Sequence, residues 1–171
     1  MTPVRRSGRG NRLTGQVGEY LVAAQLARKG FIATTFAGNV PHYDIVASDV
    51  GGRHVSVQVK ASRGNSWQFT MDRFCKMSVR GKKQIVGSAL PVPVLRLVVV
   101  MVMLGEAPGD DRYFVLTWAE LRNIAIRHHR EWLRGHGGQR PLNPKSLHTA
   151  VALSQLLPYE DRWETVAKCL R

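Results

Sequence analysis

The spacing of apolar positions changes several times along the chain. Between Thr14 and Lys29, Val17, Tyr20, Ala24 and Ala27, with Phe31 beyond, recur at helical intervals. This predicts a helix that turns that stripe toward a sheet, leaves Gln25, Arg28 and Lys29 in solvent, and ends at Gly30. Glu19 breaks the pattern. Its neighbours at i+3, i+4 and i+7 are Val22, Ala23 and Leu26, so a carboxylate rises from an apolar surface. Three short β-like runs follow, Phe31 to Phe36, Tyr43 to Ala47 and Val55 to Lys60, separated by Gly38-Asn39, Pro41 and Gly51-Gly52. In the third run Val55, Val57 and Val59 alternate with Ser56, Gln58 and Lys60. Side chains alternate across a strand, so Gln58 and Lys60 share one face and can act together.

Farther on, Asp72 to Lys83 carries Arg73, Lys76, Arg80, Lys82 and Lys83 against one acid and predicts a helix or loop that ends before Pro91. Val94 to Leu104 and Tyr113 to Leu116 read as strands, with Gly105 to Asp111 as the turn between them. Thr117 is placed to cap a helix over Trp118 to Arg134. A Gly-, Pro- and Arg-rich loop from Gly135 to Pro144 leads to two short helices, near Ala150 to Leu157 and Glu160 to Leu170. Residues 1–12 contain Arg5, Arg6, Arg9 and Arg12 and no acid, the pattern of a flexible basic arm. Residues 13–171 then form a single domain, with the helices of about 148–171 as an addition to its core. No internal repeat and no long linker divides it.

Charge narrows the choice of partner. Among 171 residues, 25 Lys and Arg stand against 12 acids, a formal net charge of +13, while 44% hydrophobic residues supply enough core to exclude wholesale disorder. The summed field attracts polyanions, and nucleic acid is the expected partner; a ribosome-associated protein, a membrane-surface binder and a merely basic protein are the alternatives. The most apolar run, Val94 to Leu104, contains Arg96 and falls well short of the ~20 residues that span a bilayer, so no membrane-spanning helix is expected. No apolar stretch follows the N-terminal arginines as a secretory signal requires, and Cys75 and Cys169 match no metal-ligand spacing. A reducing cytoplasm fits these features. His128, His129 and His136 lack both cysteine partners and i+4 spacing, and are assigned to a basic, DNA-facing surface. Trp67 and Trp132 could stack on bases or belong to core or rim.

Cutting a phosphodiester at neutral pH calls for a metal that activates water and neutralises phosphate charge, with a base or cation near the nucleophile. Hard oxygen ligands suit Mg²⁺, which takes only one or two carboxylates from a protein. Asp44, following Pro41-His42-Tyr43 at the start of a strand, fits that role. A structural Asp44–Lys60 ion pair is the alternative. His42 reads as a rim residue. Ser62 either assists the site or begins a turn.

The order helix Glu19, strand Asp44, then Gln58-Val59-Lys60 on the next strand resembles the PD-(D/E)XK nuclease superfamily, in a Q-x-K variant, over about residues 12 to 62. That superfamily includes restriction endonucleases, archaeal Holliday-junction resolvases and some homing endonucleases. The resemblance implies a restriction-endonuclease-like α/β fold with an αβββαβ core and a central mixed sheet flanked by helices. It further implies that Asp44, Gln58 and the Val59 carbonyl bind Mg²⁺ or Mn²⁺, with Glu19 reaching the same cluster. Lys60 would position or activate the attacking water and stabilise phosphate charge. The implied function is metal-dependent hydrolysis of DNA in repair, restriction or a mobile element, by a possible homodimer, with RNA left open as a substrate. Arg5, Arg6, Arg9, Arg12, Arg73, Lys76, Arg80, Lys82 and Lys83 would contact phosphates. Gln58 departs from the usual acid, which leaves a catalytically inactive nucleic-acid-binding protein of the same fold as the alternative.

Overall fold

A computed structural model describes residues 8–36 and 40–170. Helix α1 (Gly8–Arg28) leads into an antiparallel meander of β1 (Ile32–Thr35), β2 (Ile45–Ser48) and β3 (His54–Ser62). Strand β3 also pairs in parallel with β7 (Val98–Met103), which pairs antiparallel with β8 (Arg112–Thr117). The central sheet is therefore mixed, in the order β1-β2-β3-β7-β8. Helix α2 (Trp118–Gly135) follows directly, opened by a capping box in which Thr117 and Glu120 satisfy one another's backbone N–H groups.

The sheet is covered on both faces. Val22 and Leu26 of α1 pack with Ile45, Val57, Val98 and Val100 on one face, together with Val166 of α4 (Glu164–Cys169). On the other, Val99, Met101, Phe114 and Leu116 pack against Leu121 and Ala125 of α2. Strand β7 feeds both cores by alternation, which is why its sequence is apolar without interruption.

The crossover from β3 to the parallel β7 is made of strands. It holds β4 (Ser66–Thr70), a 3₁₀ turn at Met71–Arg73 and a hairpin of β5 (Cys75–Arg80) and β6 (Lys83–Ala89). The class and the helix-flanked mixed sheet are those expected, and α2 stands where the Thr117 cap placed it, while no α-helix lies between β3 and β7 among the described residues. Asp72 to Lys83 is corrected accordingly from helix or loop to hairpin. Gly81, at φ +60°, supplies the first residue of its two-residue turn, and the cations that break any apolar period face solvent along it.

Two further expectations are corrected. Residues 148–152 form a strand, β9 (His148–Ala152), paired with β4, so only α3 (Leu153–Leu156) is helical in that stretch. Helix α1 starts at Gly8 rather than Thr14, so residues 8–12 are helical where a flexible arm was expected; Arg5 and Arg6 lie outside the described residues.

Candidate active site

Glycine decides how α1 sits. A Cβ on Gly18 would stand 2.5 Å from the Ala61 Cβ of β3, so the helix approaches the strand more closely than any side chain permits. The buried stripe is therefore Gly18, Val22 and Leu26. The expected stripe is turned outward, with Val17 40% and Tyr20 58% exposed. Glu19, next to the contact, is carried to the end of β3.

At that end the sheet is incomplete on one side. The β2–β3 ladder closes with Ile45 opposite Val57, whereas β3 runs on to Ser62 paired only with β7. Asp44 covers the gap. Its N–H donates to the Val57 carbonyl at 2.9 Å, and its Oδ2 accepts the Val59 N–H at 2.7 Å. Peptide groups of a strand alternate in direction, so the Val59 carbonyl faces the same open edge, while the Ser62 carbonyl faces β7 and accepts the Leu104 N–H.

Electrostatics link the residues that the sequence singled out. Burial pushes the Asp44 carboxyl above its usual range, against the lowering effects of the Val59 N–H, Lys60 and Arg73. Glu19 is also raised, first by burial and then by the charge of Asp44. Lys60 is lowered, by burial and then by Arg73, with Asp44 opposing. Glu19, Asp44 and Lys60 thus share one electrostatic site. Asp44 and Lys60 form no ion pair among the described residues, contrary to the salt-bridge alternative.

Gln58 is 6% exposed, and its Oε1 is buried without a hydrogen-bond partner. An orphaned buried acceptor is costly unless something electropositive meets it. Gln58, Asp44, Glu19 and the Val59 carbonyl are all oxygen donors, the type a hard divalent cation takes, and such a cation needs no more than two carboxylates. The described residues contain no cluster of three or more His, Cys, Asp or Glu that would hold a metal on such side chains alone.

Other candidates fall away from this centre. Ser62 Oγ donates to the Ser66 carbonyl and accepts the Gly64 N–H, so it holds a turn. His42 is exposed at φ 74°. His129 is corrected from the basic surface to the core: it is 1% exposed, bonded to Gln84 Oε1 at 3.0 Å, and driven to a pKa of about 4 chiefly by burial. Trp67 is core, and Trp132 has His136 stacked at 4.1 Å and the Arg140 guanidinium over its ring at 5.2 Å. Arg12, Arg73, Lys76, Arg80, Lys82 and Lys83 are exposed. Sequence reading placed Arg73 only among phosphate contacts; the fold also brings it within the field of Asp44 and Lys60. Its position one turn after a strand invisible in the local pattern concealed that.

No family model and no curated protein matches the chain. Among solved structures, the Holliday junction resolvase Hjc of the archaeal hyperthermophile Archaeoglobus fulgidus is similar over 90% of this chain and 95% of its own, at 15% identity and a TM-score of 0.50. The bacterial homing endonuclease I-Ssp6803I is similar over 92% and 93%, at 12% identity and a TM-score of 0.49. With its mixed five-stranded sheet between helices, the chain has the restriction-endonuclease-like fold.

Proposed function

We propose that this protein is a metal-dependent endonuclease acting on DNA. The observation that carries the reading is the buried, unpartnered Gln58 Oε1 at the open end of β3, where Asp44, Glu19 and Lys60 share one field. Asp44, Gln58, Glu19 and the Val59 carbonyl would hold Mg²⁺ or Mn²⁺. When bound, such an ion lowers the pKa of water and neutralises developing phosphate charge.

The chain's own residues have separable tasks. Asp44 anchors its carboxylate to the Val59 N–H, so one oxygen is fixed and the other is left for a ligand. Lys60, a half-buried cation free of ion pairs, can orient the attacking water and stabilise charge on the phosphate. Arg73 adds positive charge nearby. The net charge of +13 and the cations of the β5–β6 hairpin suit a polyanionic substrate, and the fold is shared with a protein named as a Holliday junction resolvase.

The test is incubation of purified protein with supercoiled, linear and branched DNA in Mg²⁺, in Mn²⁺ and in EDTA. Cleavage is expected with either ion and absent in EDTA. Cutting that survives EDTA would count against the site, and DNA binding without cutting under every condition would favour the inactive binding protein.

A further inference from the structure

A cleft of about 960 Å³ opens beside Lys60, between the first turns of α1 and the turn joining β3 to β4. Lys60 and Arg63 line it, and none of its lining residues is acidic. Asn11, Thr14 and Asn65 also line it, and their side chains, like that of Arg63, have no hydrogen bond or ion pair among the described residues. Trp67 belongs to the same lining, its buried indole Nε1 lacking an acceptor among the described residues.

We propose that this cleft binds an unpaired DNA strand and leads it to the reacting phosphate at Lys60. The inference rests on the nuclease reading and adds the form of the substrate. A volume of about 960 Å³ lies in the roughly 300–1,000 Å³ range of ordinary ligand clefts, room for a nucleotide or two of an unpaired strand rather than for a length of duplex. The lining fits such a guest. Hydroxyl and amide side chains with two cations are the groups that hold sugar and phosphate, and splayed bases present edges to Asn and Gln. Sites for unpaired strands combine a positive groove of this kind with tolerance of sequence.

Asn65 and Gln68 are exposed cleft residues outside the proposed metal and catalytic set, so Asn65→Asp and Gln68→Glu add negative charge without touching it. Binding is measured in EDTA, by fluorescence anisotropy, on a blunt duplex and on the same duplex bearing a single-stranded arm. Each variant should weaken arm-bearing DNA about tenfold, as one close repulsion warrants, and change blunt duplex less than about twofold. Equal losses on both DNAs, or no loss on either, would overturn the cleft assignment while leaving the nuclease reading standing. Failure of the unaltered protein to bind any DNA would overturn both.

Discussion

Asp44 Oδ2 accepts the Val59 N–H at 2.7 Å, tying the loop before β2 to the strand that carries Gln58 and Lys60. One carboxylate therefore has a structural and a proposed chemical duty, and substitution can separate them. Asp44→Asn keeps an acceptor for the N–H but loses the charge. Because burial raises the Asp44 pKa, the charged form costs stability near neutral pH, and the melting temperature at pH 7 should stay equal or rise. Asp44→Ala orphans the N–H and should lose about 1–3 kcal/mol. Both should abolish metal-dependent cleavage; Asp44→Asn cutting at the unaltered rate would remove Asp44 from the chemistry.

Gln58→Glu adds an anionic oxygen where an unpartnered neutral one is buried. Mn²⁺ titration by calorimetry should show tighter binding, and Glu19→Gln weaker binding. Without a cation, Gln58→Glu should lower stability, since it buries a carboxylate where the present oxygen has no partner. Unchanged Mn²⁺ affinity in both variants would mean that neither side chain meets a metal.

The contact of Gly18 with Ala61 admits no intervening methyl group. Gly18→Ala should cost about 1–3 kcal/mol through overpacking and shift Glu19 away from Asp44. Adding Ala61→Gly should recover most of the loss. Urea midpoints test this, and a stable Gly18→Ala protein would show that the helix can sit farther out.

His129 predicts acid sensitivity. Its folded pKa of about 4 lies below the ordinary 6.5, so the unfolded chain takes up a proton that the fold refuses. Stability should be complete above pH 6.5 and fall between 6.5 and 4, by up to about 3 kcal/mol. His129→Gln should flatten that slope in denaturation followed from pH 7 to 4; an unchanged slope would assign the acid response to other groups.

Arg73, Lys76 and Lys82 are exposed on the 3₁₀ turn and the β5–β6 hairpin or its turn. If all three neutralise phosphates, replacing them with Ala should flatten the log–log salt dependence of duplex binding by roughly 0.9 for each. Affinity at moderate salt that survives the triple replacement would exclude this segment from the contact surface.

The sequence made the β1–β2–β3 meander, β7, β8 and α2 legible because each has a clear period or cap. Gln58 and Lys60 on one strand face, and Glu19 among apolar neighbours, were readable for the same reason. The orientation of α1 was not. Val17 and Tyr20 look like core by hydropathy, yet the close approach at Gly18 selects a different face. Strands β4 and β9 escaped because they pair with each other across some 80 residues, as Trp67 with Val151, and neither carries a long apolar alternation. The position of Arg73 depended on that pairing, so its nearness to Asp44 and Lys60 could not be read from local sequence.

The half of β3 beyond Val57 has lost its neighbour on the β2 side, and a bare strand edge is the usual template for intermolecular pairing. Here the Asp44 carboxylate takes the N–H that another molecule's carbonyl would seek, and α1 lies against the strand at Ala61. Asp44 therefore occupies the hydrogen-bonding position at Val59 through which this edge would otherwise recruit a second chain. Divergence that discards chemistry at Asp44 without replacing its acceptor would expose that edge, so solubility alone would tend to retain a polar residue there long after any activity was lost.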